Sequence, residues 1–146
     1  MIFSKSFGYA IRSILYVASV QSKQQWVQLN DVAAELKIPR HFLAKVMKHL
    51  VKEGVLDSQR GPAGGFGIND LTLQTHLIRV LEVTGEAISF ETCVLGLNRC
   101  NAKNPCPMHH SAQQLRDDWV RLLSSTTIGD LFGKTEPELV KSFTTF

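Results

Sequence analysis

The sequence predicts a mostly α-helical chain with one small two-stranded β element, and three observations carry that reading. Apolar residues recur at helical spacing through 4–21, 29–36, 39–53, 73–84 and 108–126. Val55 and Leu56, then Phe66 and Ile68, alternate in the manner of strands around Gly61, Pro62, Ala63, Gly64 and Gly65, which is turn chemistry. Between residues 86 and 107 periodicity is lost.

The first helix, residues 4–21, packs through Phe7, Ala10, Ile11, Ile14, Leu15 and Ala18, while Tyr9 and Arg12 face away. Residues 23–25 form a polar connector, and Trp26 and Val27 begin an extended piece that pairs with the β element as a third strand. Val32, Ala33 and Leu36 mark a second helix, with Asn30 or Asp31 as its N-cap. After a very short turn a third helix opens at Pro39, where a missing N–H costs nothing, and closes at Gly54, which tolerates the left-handed conformation of a helix end. Phe42, Leu43, Val46, Met47, Leu50 and Val51 fall on one face of it; Arg40, His41, Lys45, Lys48 and Lys52 fall on the other.

A basic helix face on its own is ordinary solvated surface. Here the neighbours decide: helix, tight turn, basic helix and two strands is the order of a winged helix-turn-helix, whose second helix enters the DNA major groove. Lys45, Lys48 and Lys52 are then placed for phosphates, and Arg40 and His41 for base edges. Arg60 sits at the wing tip, where a side chain reaches a narrow minor groove. A nucleotide-binding glycine loop is the competing account of the glycines, but the chain has no Gly-Lys-Ser/Thr and no G-x-G-x-x-G opening a helix. After the wing, Leu73, Leu77, Ile78 and Leu81 mark a fourth helix, capped by Thr72 and ending near Gly85.

Charge supports the same assignment. The net +3 hides an asymmetry: residues 1–60 hold nine Lys/Arg against four Asp/Glu, whereas residues 61–146 hold seven against nine. The half with the basic helix is therefore the half attracted to a polyanion. With 146 residues the chain builds one compact core, no apolar run approaches a membrane span, and the start lacks the layout of a signal peptide, so the expected location is the cytoplasm.

All three cysteines of the chain lie in the aperiodic stretch: Cys93, Cys100 and Cys106, separated by six and five residues, with His109 and His110 just after. Such grouping points to a shared ligand. Disulfides are disfavoured by the odd count and the expected compartment. Structural zinc usually uses closer Cys-x2-4-Cys pairs, and wider gaps suit an iron-sulfur cluster, in which thiolates surround two metal atoms and a histidine can replace one of them. On spacing alone a cluster, zinc and reactive thiols all remain open. Beyond the cysteines, Met108, Ala112, Leu115, Trp119, Leu122 and Thr126 alternate by four and three, a heptad-like seam flanked by Arg116, Asp117, Asp118 and Arg121. A long helix of this kind after a complete small domain pairs with its twin across a two-fold axis. Thr127 to Asp130 open one further short helix.

From Phe3 to about Phe132 the chain resembles the IscR/NsrR-type family of dimeric winged-helix iron-sulfur transcription regulators. The match rests on Tyr9-Ala10-Ile11, on the wing from Arg60 to Phe66, and on Cys93, Cys100 and Cys106 ending in Cys-Pro-Met-His. The resemblance implies a 2Fe-2S cluster held by the three cysteines. Two departures stand out. The first cysteine gap is one residue longer than in the best-known members, and Gly8 occupies the position from which nitric-oxide-responsive members supply an acidic fourth ligand. His109 is therefore the expected fourth ligand, with His110 and Glu91 as substitutes.

The resulting expectation is a homodimeric regulator of transcription, a repressor and not an enzyme, that binds an inverted repeat in double-stranded DNA under control of a labile 2Fe-2S cluster. Residues 1–85 form the DNA-binding domain, 86–107 the cluster loop, 108–134 the dimerisation helix with a short helix after it, and 135–146 a tail. The dimer contacts are Ala112, Leu115, Trp119 and Leu122. The competing expectations are a clusterless winged-helix repressor governed by thiol oxidation or a partner, and, from another class, a small 2Fe-2S electron-transfer protein.

Overall fold

A computed structural model describes residues 3–85, 92–98 and 100–134. Glu86 to Glu91, Arg99 and the expected tail 135–146 lie outside them. The described order is α1 (Lys5–Val20), α2 (Leu29–Leu36), α3 (Arg40–Lys52), β1 (Asp57–Gln59), β2 (Gly65–Gly67), α4 (Leu77–Val83), α5 (His109–Ser125) and α6 (Ile128–Lys134).

Helix α1 begins where the Ser4 hydroxyl accepts the Phe7 N–H at 3.3 Å, and it buries Phe7, Ala10, Ile14, Leu15, Val17 and Ala18. Ile11 is only half-buried, and Tyr9 also packs partly on the core, with the Arg12 guanidinium 5.3 Å from its ring centre. Helix α2 is not capped by Asn30 or Asp31: its N-cap is Gln28, which makes no side-chain cap bond, and the Asn30 Oδ1 instead accepts a hydrogen bond from Arg40 Nε. Lys37 closes α2 in the left-handed conformation, φ 52°, and is the one non-glycine residue with positive φ among the described residues. That reversal places Ile38 in the core and launches α3 from Pro39. Helix α3 ends as the sequence implies, with Gly54 at φ 77°.

Val55 and Leu56 do not begin β1. Their N–H groups both go to the Leu50 carbonyl, at 2.9 and 3.3 Å, so they finish α3 as buried plugs and the strand starts at Asp57. In the wing Asp57, Ser58 and Gln59 pair antiparallel with Gly67, Phe66 and Gly65. The third strand is reduced to one bridge, in which Val27 and Phe66 exchange N–H···O bonds of 2.9 and 2.8 Å. A Cβ on Gly65 would overlap the Val27 carbonyl, and one on Gly64 the Gln59 carbonyl. The turn closes only because these two residues lack side chains.

Helix α4 starts at Leu77 after N-cap His76, later than the apolar spacing suggests, and Thr72 does not cap it. Side chains claim the backbone ahead of it. Asn69 Oδ1 accepts the Leu71 N–H at 2.9 Å, while the buried Thr72 hydroxyl donates to the Val55 carbonyl at 2.7 Å and accepts the Asn69 N–H at 2.9 Å. The start of α4 is also stitched to the α5–α6 junction: Leu77 N–H to Thr126 O, Ile128 N–H to Thr75 O and Gly129 N–H to Leu73 O, all 2.8–2.9 Å. Thr127 and Asp130 cap α6 reciprocally. One core results, formed by α1 to α4, Val55 and Leu56, with Leu123 of α5 and Ile128 of α6 completing it.

Candidate functional site

The basic residues divide between two flanks of α3. Arg40 and Lys48, with Arg60 from the wing, line a cleft of about 530 Å³ between α3, the start of α2 and the wing; among the described residues no acidic side chain lines it. Two bonds shape it. Arg40 Nε donates to Asn30 Oδ1 at 2.6 Å, which holds the guanidinium over the cleft, and Gln28 Nε2 donates to the Pro62 carbonyl at 2.6 Å, which fastens the wing to the start of α2. Lys45 and Lys52 lie on the far flank, Lys45 beside Ser6 and Thr84, Lys52 beside Glu53, Arg79 and Glu82. His41 is exposed between these groups, its ring 4.5 Å from that of Phe42.

Phe42 departs from its expected place in the packing stripe: it is 51% exposed. Three and seven residues before Lys45 and His49, it sits on the edge they share, about 90° from the centre of the buried face. Val51 is half-buried and lines the wing cleft. Gln28 and Asn30 belong to the lining of the cleft, which the pattern of charges does not reveal, since their place there depends on contacts with Pro62 and Arg40.

The second site lies between the cysteine loop and α5. Cys93 is buried and Cys100 and Cys106 are half-buried. His109, at the first position of α5, is 8% exposed, and its Nδ1 is 3.1 Å from Cys100 Sγ. The Cys93 thiol is hydrogen-bonded by the main chain at Leu95 and Leu97, and these contacts pull it below the usual thiol range; burial opposes them, while Cys106 and the Arg116 charge add to them. Cys100 is thus in direct contact with His109, and Cys106 lies near enough to Cys93 to help lower its thiol. Among the described residues no group of three or more ligating side chains is arranged to hold a metal ion. In chemical type the set suits iron and sulfide, being three soft thiols and an imidazole.

His110 is exposed with its ring 5.4 Å from that of His109; Glu91 lies outside the described residues. A side chain at Gly8 would meet open space. Arg116 is the residue that sequence reasoning missed here. Expected only as a charge beside the seam, it donates to Cys100 Sγ at 3.3 Å and to the Thr92 carbonyl.

On α5, Met108, Leu115 and Leu122, spaced by seven, are 44%, 59% and 52% exposed, whereas Ala112 and Trp119 are half-buried within the single chain. Trp119 meets the Phe3 ring edge-on at 5.1 Å. Among the described residues no helix is long and apolar enough to cross a membrane.

Residues 3–134 match the Rrf2 family of iron-dependent transcriptional regulators. The chain belongs to the Rrf2 family. It is 36% identical over 141 residues to a protein of Aquifex aeolicus described as an HTH-type transcriptional regulator, covering 95% of this chain and 96% of that one. It is 25% identical over 124 residues to the regulator NsrR of Geobacillus kaustophilus, with 84% of each chain covered. Among solved structures, CymR, the global cysteine regulator of B. subtilis, superposes with TM-score 0.75 at 20% identity, covering 92% of this chain and 98% of its own. T. potens IscR does so with TM-score 0.69 at 16% identity, covering 92% and 88%. The protein is accordingly a winged-helix, DNA-binding transcriptional regulator, and its relatives are regulators of transcription and not enzymes.

Proposed function

We propose that this Rrf2 regulator is a homodimeric repressor whose affinity for an inverted repeat in DNA is set by a 2Fe-2S cluster on Cys93, Cys100, Cys106 and His109. The observation that carries the reading is the contact of Cys100 with His109 close to Cys93 and Cys106, at the entry of a helix on which Met108, Leu115 and Leu122 are exposed. The resident cluster would supply a redox-active and dissociable group; the residues of the chain position it and transmit its state.

Transmission has a physical path. The loop joins α4 to α5, α4 is stitched to the α5–α6 junction, and Arg79 of α4 forms a 2.6 Å ion pair with Glu53, the C-cap of α3. Ordering the loop therefore biases the position of the recognition helix through α4, and two-fold pairing along α5 converts that bias into a change of spacing between the two DNA-reading helices. In the bound state each α3 occupies a major groove, and each wing brings Arg60 to the adjacent minor groove.

A clusterless thiol sensor is the second reading, favoured by the superposition on CymR and by the lowered Cys93 thiol. Anaerobic purification followed by a visible spectrum, an iron and sulfide assay and a DNA-binding titration before and after cluster removal separates the two. A colourless protein without iron, with DNA binding that responds to thiol oxidants, would replace the first reading by the second.

A further inference from the structure

Arg116 lies seven residues beyond His109, so both side chains leave α5 from the same side, and Arg116 is half-buried there. Its Nη1 donates to Cys100 Sγ at 3.3 Å, and its Nη2 donates to the carbonyl of Thr92, the residue before Cys93. One planar group thus spans both limbs of the loop, the limb of Cys93 and the limb of Cys100. Nearby carboxylates of α5 are engaged elsewhere: Asp117 accepts from Gln113 at 2.9 Å and Asp118 pairs with Arg121 at 3.1 Å. Among the described residues no carboxylate forms an ion pair with Arg116, and its partners are a sulfur and a carbonyl.

A half-buried guanidinium that has no carboxylate partner among the described residues keeps a charge it can offer to an anion, and thiolate sulfur is the anion that a cluster site provides. Guanidinium has no lone pair to give a metal, so it cannot be a ligand. Its fixed fork serves two acceptors at once, which the single ammonium of a lysine does less well.

We infer that Arg116 is a positioning residue of the sulfur site: it fixes the separation of the Cys93 and Cys100 limbs and, with a cluster bound, donates an N–H to the Cys100 sulfur. The inference rests on the cluster reading above for its second part and on the loop contacts alone for its first. A nearby positive charge and a hydrogen bond to a ligating sulfur favour the reduced, more negative cluster, so Arg116 raises the potential.

The test uses the full chain as wild type, Arg116→Gln and Arg116→Lys, prepared anaerobically. Three quantities are read: the midpoint potential, the half-life of the visible chromophore in excess chelator, and the rate of chymotrypsin cleavage within residues 92–107 of the cluster-free protein. Arg116→Gln is expected to lower the potential, to shorten the half-life on the order of tenfold and to speed cleavage. Arg116→Lys keeps the charge and loses the fork, so its potential stays near that of wild type while chromophore loss and cleavage still accelerate. A residue that only braces the helix would leave the potential of the remaining cluster unmoved.

Unchanged potential and half-life in Arg116→Gln overturn the inference, as does wild-type behaviour of Arg116→Lys in cleavage and chromophore loss if the glutamine variant fails to fold. If the wild type takes up no cluster, the cofactor reading falls, and cleavage still decides the tether: faster cutting of either variant sustains it, equal cutting of both removes it.

Discussion

Gln28 and Pro62 are 34 residues apart and joined by a 2.6 Å hydrogen bond from the Gln28 amide to the Pro62 carbonyl. Both residues line the cleft that also holds Arg40, Lys48 and Arg60, so the bond ties the wing to the start of α2 beside the recognition helix. It is exposed, and its loss costs about 1 kcal/mol of stability or less. Gln28→Ala is therefore expected to leave the melting temperature nearly unchanged and to weaken DNA binding through a looser wing. A variant that binds its operator with wild-type affinity and salt response would show that the wing needs no such fastening.

Lys48 and Arg60 share that cleft, while Lys45 and Lys52 lie on the other flank of α3. Each phosphate contact contributes about one unit to the slope of log affinity against log salt concentration. Lys48→Ala should flatten that slope by about one unit per subunit and weaken binding to all sequences alike, whereas Arg60→Ala should change the preference among flanking A·T and G·C pairs. Titrations at several salt concentrations on two flanking sequences test both; if neither variant alters slope or preference, the cleft is not the DNA face.

What was legible in the sequence follows from which interactions are local. The stripe of α1 and the Gly54 stop of α3 depend on neighbours within a turn, and both appear where periodicity places them. The start of α4 does not, because Asn69 and Thr72 spend their side chains on a turn that ties back to Val55. Asn30 looks like a helix cap and instead positions Arg40, ten residues on. In the second site, the grouping of Cys93, Cys100 and Cys106 within fourteen residues is what raises the expectation of a shared ligand. The role of Arg116 stayed hidden because its contact with Thr92 crosses 24 residues and depends on how the loop lies on α5.

Gly65 offers a test of the wing that is independent of charge. Its φ of 143° and its contact with the Val27 carbonyl leave no room for a methyl group. Gly65→Ala should break the exchange of bonds between Val27 and Phe66 and destabilise the protein by about 1–3 kcal/mol, with DNA binding lost at temperatures where α1 to α3 remain folded. Thermal unfolding by circular dichroism measures the first effect; a cost below about 0.5 kcal/mol would mean that the bridge is dispensable.

Leu115 and Leu122 are exposed apolar residues one heptad apart, outside the core. Placing a charge on both, Leu115→Glu with Leu122→Glu, should dissociate a dimer without unfolding the chain, because neither side chain supports the monomer. Trp119→Ala differs: it removes the edge-on partner of Phe3 and should lower monomer stability as well. Sedimentation at micromolar concentration reads the first outcome, and a double variant that stays dimeric would assign the seam to another role.

The pairing of Cys100 with His109, at 3.1 Å, leads to the prediction that these two residues ligate together and that His109 is the replaceable member. Replacing Cys93, Cys100 or Cys106 by Ala should abolish the visible chromophore, since each removes a thiolate from a set of three. His109→Ala should leave a weaker cluster with an altered spectrum, because three thiolates still hold it and water or the exposed His110 can occupy the vacated position. His109→Cys exchanges a neutral imidazole for a thiolate; the added negative charge disfavours electron uptake, so the cluster should persist longer against chelator and its potential should fall. These shifts separate ligation from bracing, because a histidine that only caps α5 would alter helix stability and leave the spectrum alone. If His109→Ala, prepared anaerobically, keeps the wild-type spectrum and potential, the fourth ligand lies elsewhere, and the first helix of a partner subunit is the next place to search.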